Sequence, residues 1–195
     1  MRDPLDWQKV GFRPGDDLIL FESRFDQMQH PVSGVVFERI VLESVDWVNC
    51  VAIDTDGKLV MIRQFRFGVG YTTLETPGGM VDDGETSEDA AKRELLEETG
   101  YEGGTWRYLG AVEPNPAIHD NLCHHWLATD VEPTSNPNPG DGEAIRVALM
   151  TPDEVVAAAH GGEIRHALAL SVIGRVLDLW APYRSGESAP VERIS

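Results

Sequence analysis

The sequence predicts a mixed α/β domain, which could equally be described as α+β, with strands flanked by helices. The first third of the chain is rich in β-branched and aromatic residues, a capped helix follows near the middle, and the last third alternates strands and helices. The length of 195 residues suits one domain of this kind, and the sequence contains no internal repeat.

The first strands are predicted at residues 35–42 and 47–53, where β-branched and aromatic residues cluster. Residues 54–57 are predicted to form a turn, because the Asp-Gly pair readily adopts the backbone angles of a tight hairpin turn. A further strand over residues 58–64 then completes a β-hairpin.

A helix is predicted over Ser87–Thr99, after the Pro-Gly-Gly sequence at residues 77–79 interrupts the strand pattern. Thr86 is suited to cap its N-terminus, because a threonine hydroxyl accepts a hydrogen bond from a backbone N–H of the first turn. Gly100 is a natural C-terminal stop, since a left-handed glycine commonly follows the last helical turn.

The last third is predicted to contain strands at residues 106–112, 124–128 and 144–149. Residues 132–142, between the last two strands, are rich in Pro, Gly and Asn and form a loop that is either functional or mobile. A capping box beginning at Thr151 opens a short helix that runs to about His160. A longer helix is predicted over residues 163–179.

The composition excludes several classes of partner. With 33 acidic and 16 basic side chains the formal net charge is −17, so the chain would repel the phosphates of nucleic acids. No run of ~18 apolar residues could span a membrane, and residues 1–8 carry no basic and apolar leader. Cys50 and Cys123 lack a CxxC spacing and cannot build a disulfide framework. A cytoplasmic protein without nucleic-acid or membrane partners is therefore expected.

Acidic residues crowd one face of the predicted helix. At about 100° per residue, Glu94, Glu97 and Glu98 fall within an arc of roughly 100°, and like charges three or four residues apart repel each other. This is either a solvated acidic face, or a face where Arg93 and bound divalent cations offset the repulsion, since Mg²⁺ prefers oxygen ligands. Glu85, just before the helix, adds another carboxylate.

A wider spacing pattern favours the metal interpretation. The residues at the fixed positions of the Nudix box are Gly79, Glu85, Arg93, Glu94, Glu97, Glu98 and Gly100. Such a set of matches, at background frequencies of about 0.07, has a chance probability on the order of 10⁻⁶ in a chain of this size. The sequence therefore resembles the Nudix hydrolases, although at Tyr101 that family more often has an aliphatic residue.

The resemblance implies a fold and a metal cofactor. The fold would be a Nudix-type α/β/α sandwich with a mixed β-sheet, preceded by an N-terminal antiparallel strand segment. The metal would be Mg²⁺, with Mn²⁺ as a substitute. By family analogy Glu94 and Glu98 are the principal ligands, and Glu97 is a ligand or supports one. The backbone carbonyl of Gly78 would be a further ligand, and Glu85 would anchor the loop or reach a metal.

The resemblance also suggests catalytic residues. Arg93 would orient the carboxylates of the box. The loop ahead of residues 144–147 resembles the segment from which related enzymes supply another carboxylate, so Glu143 is the first choice for general base or metal partner and Asp141 the second. Both could instead be turn residues, since Asp-Gly is a common turn pair, and Glu97 could be the base.

The flanks of the box resemble the ADP-ribose and nucleotide-sugar pyrophosphatases, through residues 63–66 and 74–79. Arg66 is a candidate for contact with the diphosphate or the terminal ribose, because guanidinium groups pair bidentately with phosphates; the alternative is a salt bridge with Glu75. Arg63 is a further candidate. Trp47 could stack on a nucleobase, or could instead pack in the core or at a dimer contact.

Pro116 lies near where ADP-ribose hydrolases carry a proline, so it is a further candidate for substrate contact. The surrounding residues 113–121 lack the Ser-Pro-Gly and trailing Glu of those enzymes, which leaves a broader nucleotide-sugar specificity open. His124 and His125 are adjacent on a predicted strand and point to opposite faces, which argues against a shared metal site.

The expected organisation is an N-terminal strand segment at residues 1–45, a Nudix hydrolase domain at residues 46–182 and a flexible tail at residues 183–195. The predicted reaction is Mg²⁺-dependent hydrolysis of ADP-ribose or a related nucleotide sugar to a nucleoside monophosphate and a sugar phosphate. The related subfamily often exchanges its N-terminal strands, so a homodimer is implied. The alternatives are a Nudix hydrolase acting on a dinucleoside polyphosphate or a nucleoside triphosphate, and a non-catalytic nucleotide-sugar sensor.

Overall fold

The computed structural model describes residues 3–140 and 142–180, and Asp141 and the predicted tail at residues 183–195 lie outside the described residues. The chain divides into two compact units. The first comprises Met1–Asp46 together with Glu113–Leu122, and the second comprises Trp47–Val112 together with Cys123–Ser195. The predicted domain boundaries stay a prediction.

The first unit is built on an antiparallel three-stranded sheet in the order β1-β2-β3. Its strands are β1 (Gln8–Asp17), β2 (Glu22–Gln29) and β3 (Val36–Glu43). An exposed ion pair joins the first strand to the third, where Arg13 donates through Nε and Nη2 to the Glu38 carboxylate at 3.0 and 2.7 Å. This sheet confirms the expected N-terminal antiparallel strand segment.

The second unit contains a mixed eight-stranded sheet, which runs β11-β5-β4-β10-β8, with β6 beside β5, β7 beside β4 and β9 beside β10. The pairing of β4 with β10 is parallel and the other pairings are antiparallel. The strands are β4 (Trp47–Asp54), β5 (Leu59–Arg66), β6 (Tyr71–Glu75), β7 (Gly78–Met80), β8 (Tyr101–Glu102), β9 (Thr105–Val112), β10 (Cys123–Pro133) and β11 (Ile145–Met150).

The helices of the second unit are α1 (Ser87–Thr99), α2 (Pro152–His160) and α3 (Ala167–Ile173). The first two confirm the sequence prediction, including the Thr86 cap of α1 and the capping box at Thr151. The predicted long helix over residues 163–179 is wrong, because His166 has an extended backbone and helical hydrogen bonding begins only after it. Within the described residues, no helix is long and apolar enough to cross a membrane.

The two faces of the mixed sheet carry separate apolar cores, because side chains alternate along each strand. Val48, Cys50 and Ala52 of β4 pack with Ala91 and Leu95 of α1. Val51, between them in sequence, belongs to the cluster formed with α2 and α3. Helices therefore cover both faces of the sheet, which confirms the predicted α/β/α sandwich.

Candidate active site

Arg93 holds together three of the carboxylates that the sequence singled out. Its guanidinium donates to Glu85 at 2.9 and 3.1 Å, to Glu94 at 2.8 Å and to Glu97 at 3.2 Å. It also donates to the carbonyl of Met80 at 2.9 Å, which fixes the loop before α1. The hydrogen bond to Glu85, followed by the one to Glu94, holds the pKa of Arg93 well above its ordinary value.

Glu98 is the most deeply buried carboxylate of the box, with 2% of its surface exposed. Its Oε2 accepts a hydrogen bond from the backbone N–H of Gly78 at 2.9 Å. Burial raises the pKa of Glu98 well above its ordinary value, and the nearby charges of Glu94 and Glu143 raise it further. Burial likewise raises the pKa of Glu94, despite its hydrogen bond with Arg93. These carboxylates are therefore short of positive charge.

The Pro-rich loop after β10 is fastened to the C-terminus of α1. The N–H of Asn138 donates to the carbonyl of Glu97 at 2.8 Å, and the N–H of Ser135 donates to the carbonyl of Gly100 at 3.2 Å. Gly100 has a φ of +75°, and a Cβ there would overlap the carbonyl oxygen of Ser135. A glycine is therefore required at this box position both by its left-handed backbone and by the close approach of the loop.

This loop leads into β11 and brings Glu143 beside the central sheet. Gln64 of β5 is opposite Ile145 of β11, and its buried side chain donates through Nε2 to Glu143 Oε1 at 3.1 Å. Glu143 also lies close enough to Glu94 and Glu98 for its charge to act on both. The structure thus brings Glu143 together with the box carboxylates, and the other candidate in this loop, Asp141, lies outside the described residues.

Arg66 forms the salt bridge with Glu75 that the sequence analysis left open. Its Nε and Nη2 donate to the two carboxylate oxygens of Glu75 at 3.0 and 2.7 Å. Arg66 also lies in the field of Glu98 and Glu143, both of which raise its pKa against the lowering effect of burial. Arg66 therefore forms an ion pair with Glu75 and also lies beside the carboxylates of the box.

Of the other substrate-contact candidates, Arg63 points away from Arg66. Arg63 is on the opposite face of β5 from Arg66, since successive residues of a strand point to opposite faces and the two are three residues apart, and it pairs with Glu163. Trp47 begins β4 and is half-buried. Pro116 is an exposed residue of the first unit. Substrate contacts by these three residues stay predictions.

The carboxylates of the box contact Arg93 and the backbone N–H of Gly78, and they do not converge on a common position. Among residues 3–140 and 142–180, no group of three or more His, Cys, Asp or Glu side chains is arranged to hold a metal ion. The donor set nevertheless fits a divalent cation, because Glu94 and Glu98 offer hard oxygen ligands one helical turn apart, in a partly buried and a buried position.

Sequence reasoning overlooked the supporting residue Gln64 and saw Glu75 only as a salt-bridge partner. A usable signal was present, since Ile62, Gln64 and Arg66 alternate along β5 and share one face of the strand. Burying an amide costs free energy unless it is hydrogen-bonded, so a glutamine on the same face as Ile62 indicates a polar partner there.

Comparison with known proteins gives the class. Residues 45–170 match the family model described as the NUDIX domain, so the chain belongs to the Nudix family. It is a Nudix hydrolase, and enzymes of this family generally use divalent metal ions.

Two relatives and one solved structure show which members of the family this chain is similar to. An ADP-ribose pyrophosphatase of Mycobacterium tuberculosis is 32% identical over 154 residues, which is 78% of this chain and 74% of that protein. An ADP-ribose pyrophosphatase of Bacillus subtilis is 28% identical over 136 residues, which is 69% of this chain and 74% of that protein. A crystal structure described as an ADP compounds hydrolase has the same fold, with a TM-score of 0.77 at 20% identity, covering 96% of this chain and 100% of that chain.

Proposed function

We propose that this Nudix hydrolase is an Mg²⁺-dependent pyrophosphatase that cleaves ADP-ribose or a related nucleotide sugar to a nucleoside monophosphate and a sugar phosphate. The observation that carries the proposal is the pair of box carboxylates Glu94, whose side chain is 14% exposed, and Glu98, which is 2% exposed; the charge of Glu143 acts on both. The ADP-ribose pyrophosphatases among its relatives support the choice of substrate.

Glu94 and Glu98 are the residues that would hold the metal, with the Gly78 carbonyl as a further ligand. When bound, Mg²⁺ supplies charge neutralisation for the diphosphate and lowers the pKa of a coordinated water. Mn²⁺ is the substitute ion that we expect to support the same reaction. Arg93 positions Glu94, Glu97 and Glu85 through the contacts described above, which limits the repulsion between these carboxylates.

Glu143 is the residue that we assign as general base. Its carboxylate is exposed and can take a proton from an attacking water, while the hydrogen bond from Gln64 fixes one of its oxygens. Glu97, whose side chain is 45% exposed, is the second candidate, and its hydrogen bond with Arg93 favours a supporting role. The backbone bond from Asn138 ties the loop that carries Glu143 to the helix that carries the box.

Arg66 is the residue that we assign to the diphosphate. Its fork is fixed on one side by Glu75, so the remaining donors can pair with phosphate oxygens. Arg63, Trp47 and Pro116 are the further contacts expected from the subfamily resemblance. We further propose that the protein is a cytoplasmic homodimer. Its strand segment at residues 1–45 would be exchanged between subunits, and its catalytic domain would span residues 46–182.

The test is a panel of hydrolysis assays with Mg²⁺, with products identified by chromatography. The substrates are ADP-ribose, ADP-glucose, GDP-mannose, UDP-glucose, a diadenosine polyphosphate and the nucleoside triphosphates. Preferential conversion of ADP-ribose or another nucleotide sugar to a nucleoside monophosphate and a sugar phosphate is expected. Preference for a triphosphate or a diadenosine compound would overturn the substrate assignment while leaving the family chemistry intact.

A further inference from the structure

Glu75 is a buried carboxylate that neither holds the metal nor contacts the substrate in the proposed function. Its surface is 0% exposed, and it ends β6 just before the loop that leads to Gly78. Burial alone would raise its pKa, but the hydrogen bonds from Arg66 and the positive charge around it hold the pKa below its ordinary value. Glu75 is therefore charged, and an ion of this kind is retained in a protein interior only with well-placed partners.

The partners of Glu75 come from three elements. Arg66 of β5 donates to both of its oxygens, at 3.0 and 2.7 Å, and the hydroxyl of Thr73 in β6 donates to Oε1. Nδ1 of His166, which precedes α3, lies 3.1 Å from Oε2. The fold fixes the ends of β5 and β6 and the start of α3, so the Glu75 carboxylate has little freedom to rotate. The Arg66 guanidinium that donates to it is therefore held in one plane.

This arrangement decides which donors of Arg66 are available. Nε and one hydrogen of Nη2 are directed to Glu75, so Nη1 and the second hydrogen of Nη2 form the edge left for an anion. Without Glu75, the guanidinium would be attracted toward Glu98 and Glu143, whose charges it already feels. An arginine paired with those carboxylates would compete with a divalent cation and with the phosphate.

We propose that Glu75 is a positioning residue, which holds Arg66 with one guanidinium edge free for the substrate diphosphate and keeps it away from the carboxylates of the box. The inference rests on the proposed function, because it takes Arg66 to contact the diphosphate. Thr73 contributes by fixing one oxygen of Glu75, and its single hydroxyl hydrogen is shared with the carbonyl of Gln64, which lies 3.2 Å from the same hydroxyl oxygen.

The experiment is a double-mutant cycle on Glu75 and Arg66, measured as kcat and KM for the best substrate of the panel. Glu75→Gln keeps the side-chain volume but loses the charge, and we expect KM to rise about tenfold with a smaller change in kcat. In an Arg66→Ala background the same substitution should have little further effect, because its influence passes through the guanidinium. Equal losses in both backgrounds, or no loss in either, would overturn the proposal.

A matched control is available in the first unit. Arg13 and Glu38 form an ion pair with the same two distances, but both side chains are exposed. Glu38→Gln should therefore leave KM unchanged, since exposed pairs contribute little. An equal rise in KM for Glu38→Gln would attribute the effect to general loss of charge and would contradict the role of Glu75.

A milder variant covers the case in which Glu75→Gln does not fold. Thr73→Val removes only the hydroxyl beside Glu75, and we expect a smaller rise in KM that again disappears when Arg66 is alanine. An unchanged KM for Thr73→Val with an unfolded Glu75→Gln would assign Glu75 to stability alone. Failure of the proposed function is distinguishable, because it would appear as absence of nucleotide-sugar cleavage by the wild-type protein.

Discussion

The two faces of the mixed sheet are built from the same strands but carry different chemistry. On the α1 face, β5 contributes Gln64 and Arg66, which contact Glu143 and Glu75 beside the carboxylates of the box. On the opposite face, β4, β5 and β10 contribute mainly apolar side chains to the core with α2 and α3. One strand therefore serves catalysis and stability at once, because adjacent residues point to opposite sides of the sheet.

The face covered by α2 and α3 also carries polar side chains, and His125 is one of them. His125 of β10 is 0% exposed, and neither ring nitrogen has a hydrogen-bond partner within the described part of the chain. Burial, together with the charges of Arg175 and His124, lowers the pKa of His125 from 6.5 to about 4. One face of the sheet therefore carries carboxylates that a metal can neutralise, and the other carries a buried imidazole that becomes charged only by binding a proton. The variants below test the two faces separately.

Glu98→Gln should have the largest effect on activity. The substitution removes a metal ligand from the α1 face, so we expect kcat to fall by about 10³-fold in saturating Mg²⁺. The metal-free variant should be at least as stable as the wild type, because a buried charge beside Glu94 and Glu143 has gone. Steady-state kinetics and thermal unfolding measure both. An unchanged rate would refute the assignment of Glu98 as a ligand.

Glu143→Gln should have the next largest effect. An amide cannot accept the proton of an attacking water, so kcat should fall by about 10²-fold while the binding of substrate changes little. The side chain can still receive the hydrogen bond from Gln64, which limits structural change. Kinetics as a function of pH would check this. A change in KM alone would make Glu143 a binding residue, with the base elsewhere.

Gly100→Ala should reduce both stability and rate. The new Cβ would overlap the Ser135 carbonyl at a φ of +75°, which we expect to cost about 2 kcal/mol and to shift the loop leading to Glu143. A fall in kcat of about tenfold would follow from the shift. Gly57→Ala is the control, since its φ is +78° but no atom lies within 4 Å of the added Cβ. Equal rate losses in the two variants would contradict a specific role of the loop.

His125→Leu should leave activity unchanged and alter only the pH dependence of stability. Because the folded pKa of about 4 lies below the ordinary 6.5, the unfolded chain binds the proton first as the pH falls, and folding is penalised. The wild type should lose about 2 kcal/mol more than the variant between pH 7 and pH 5. Urea unfolding at both pH values measures this difference. Identical pH dependence in the two proteins would show that the pKa of His125 is not lowered in the folded state.

The parts of the molecule that were predictable from sequence are those fixed by local patterns. Helix α1 begins and ends at the predicted residues, because Thr86 and Gly100 cap it through contacts within a few residues. The N-terminal antiparallel segment followed from the family resemblance, but the bounds of β1 and β2 were not predicted, since their small sheet is largely exposed and lacks a clear alternation of apolar side chains. The helix over residues 163–179 was overestimated, because apolar periodicity continued where the backbone at His166 is extended.

The candidate site divides in the same way. The carboxylates around Arg93 follow from residue spacing on one helix and the loop before it, so the sequence brought them together. The contacts of Glu143 with Gln64, 79 residues apart, and of Asn138 with Glu97 depend on which strands pair and on where a loop docks. Non-local pairing of this kind is set by the packed sheet and leaves no periodic signal in the sequence.

The divalent metal is expected to bind at the carboxylates of α1, which cover the charged face of the sheet. The most direct measurement is an equilibrium titration with Mn²⁺, in which electron paramagnetic resonance counts the free ion in wild-type, Glu98→Gln and His125→Leu proteins. We expect equal binding by the wild type and His125→Leu, and an affinity weaker by at least about tenfold in Glu98→Gln. Equal binding by all three proteins would contradict this expectation.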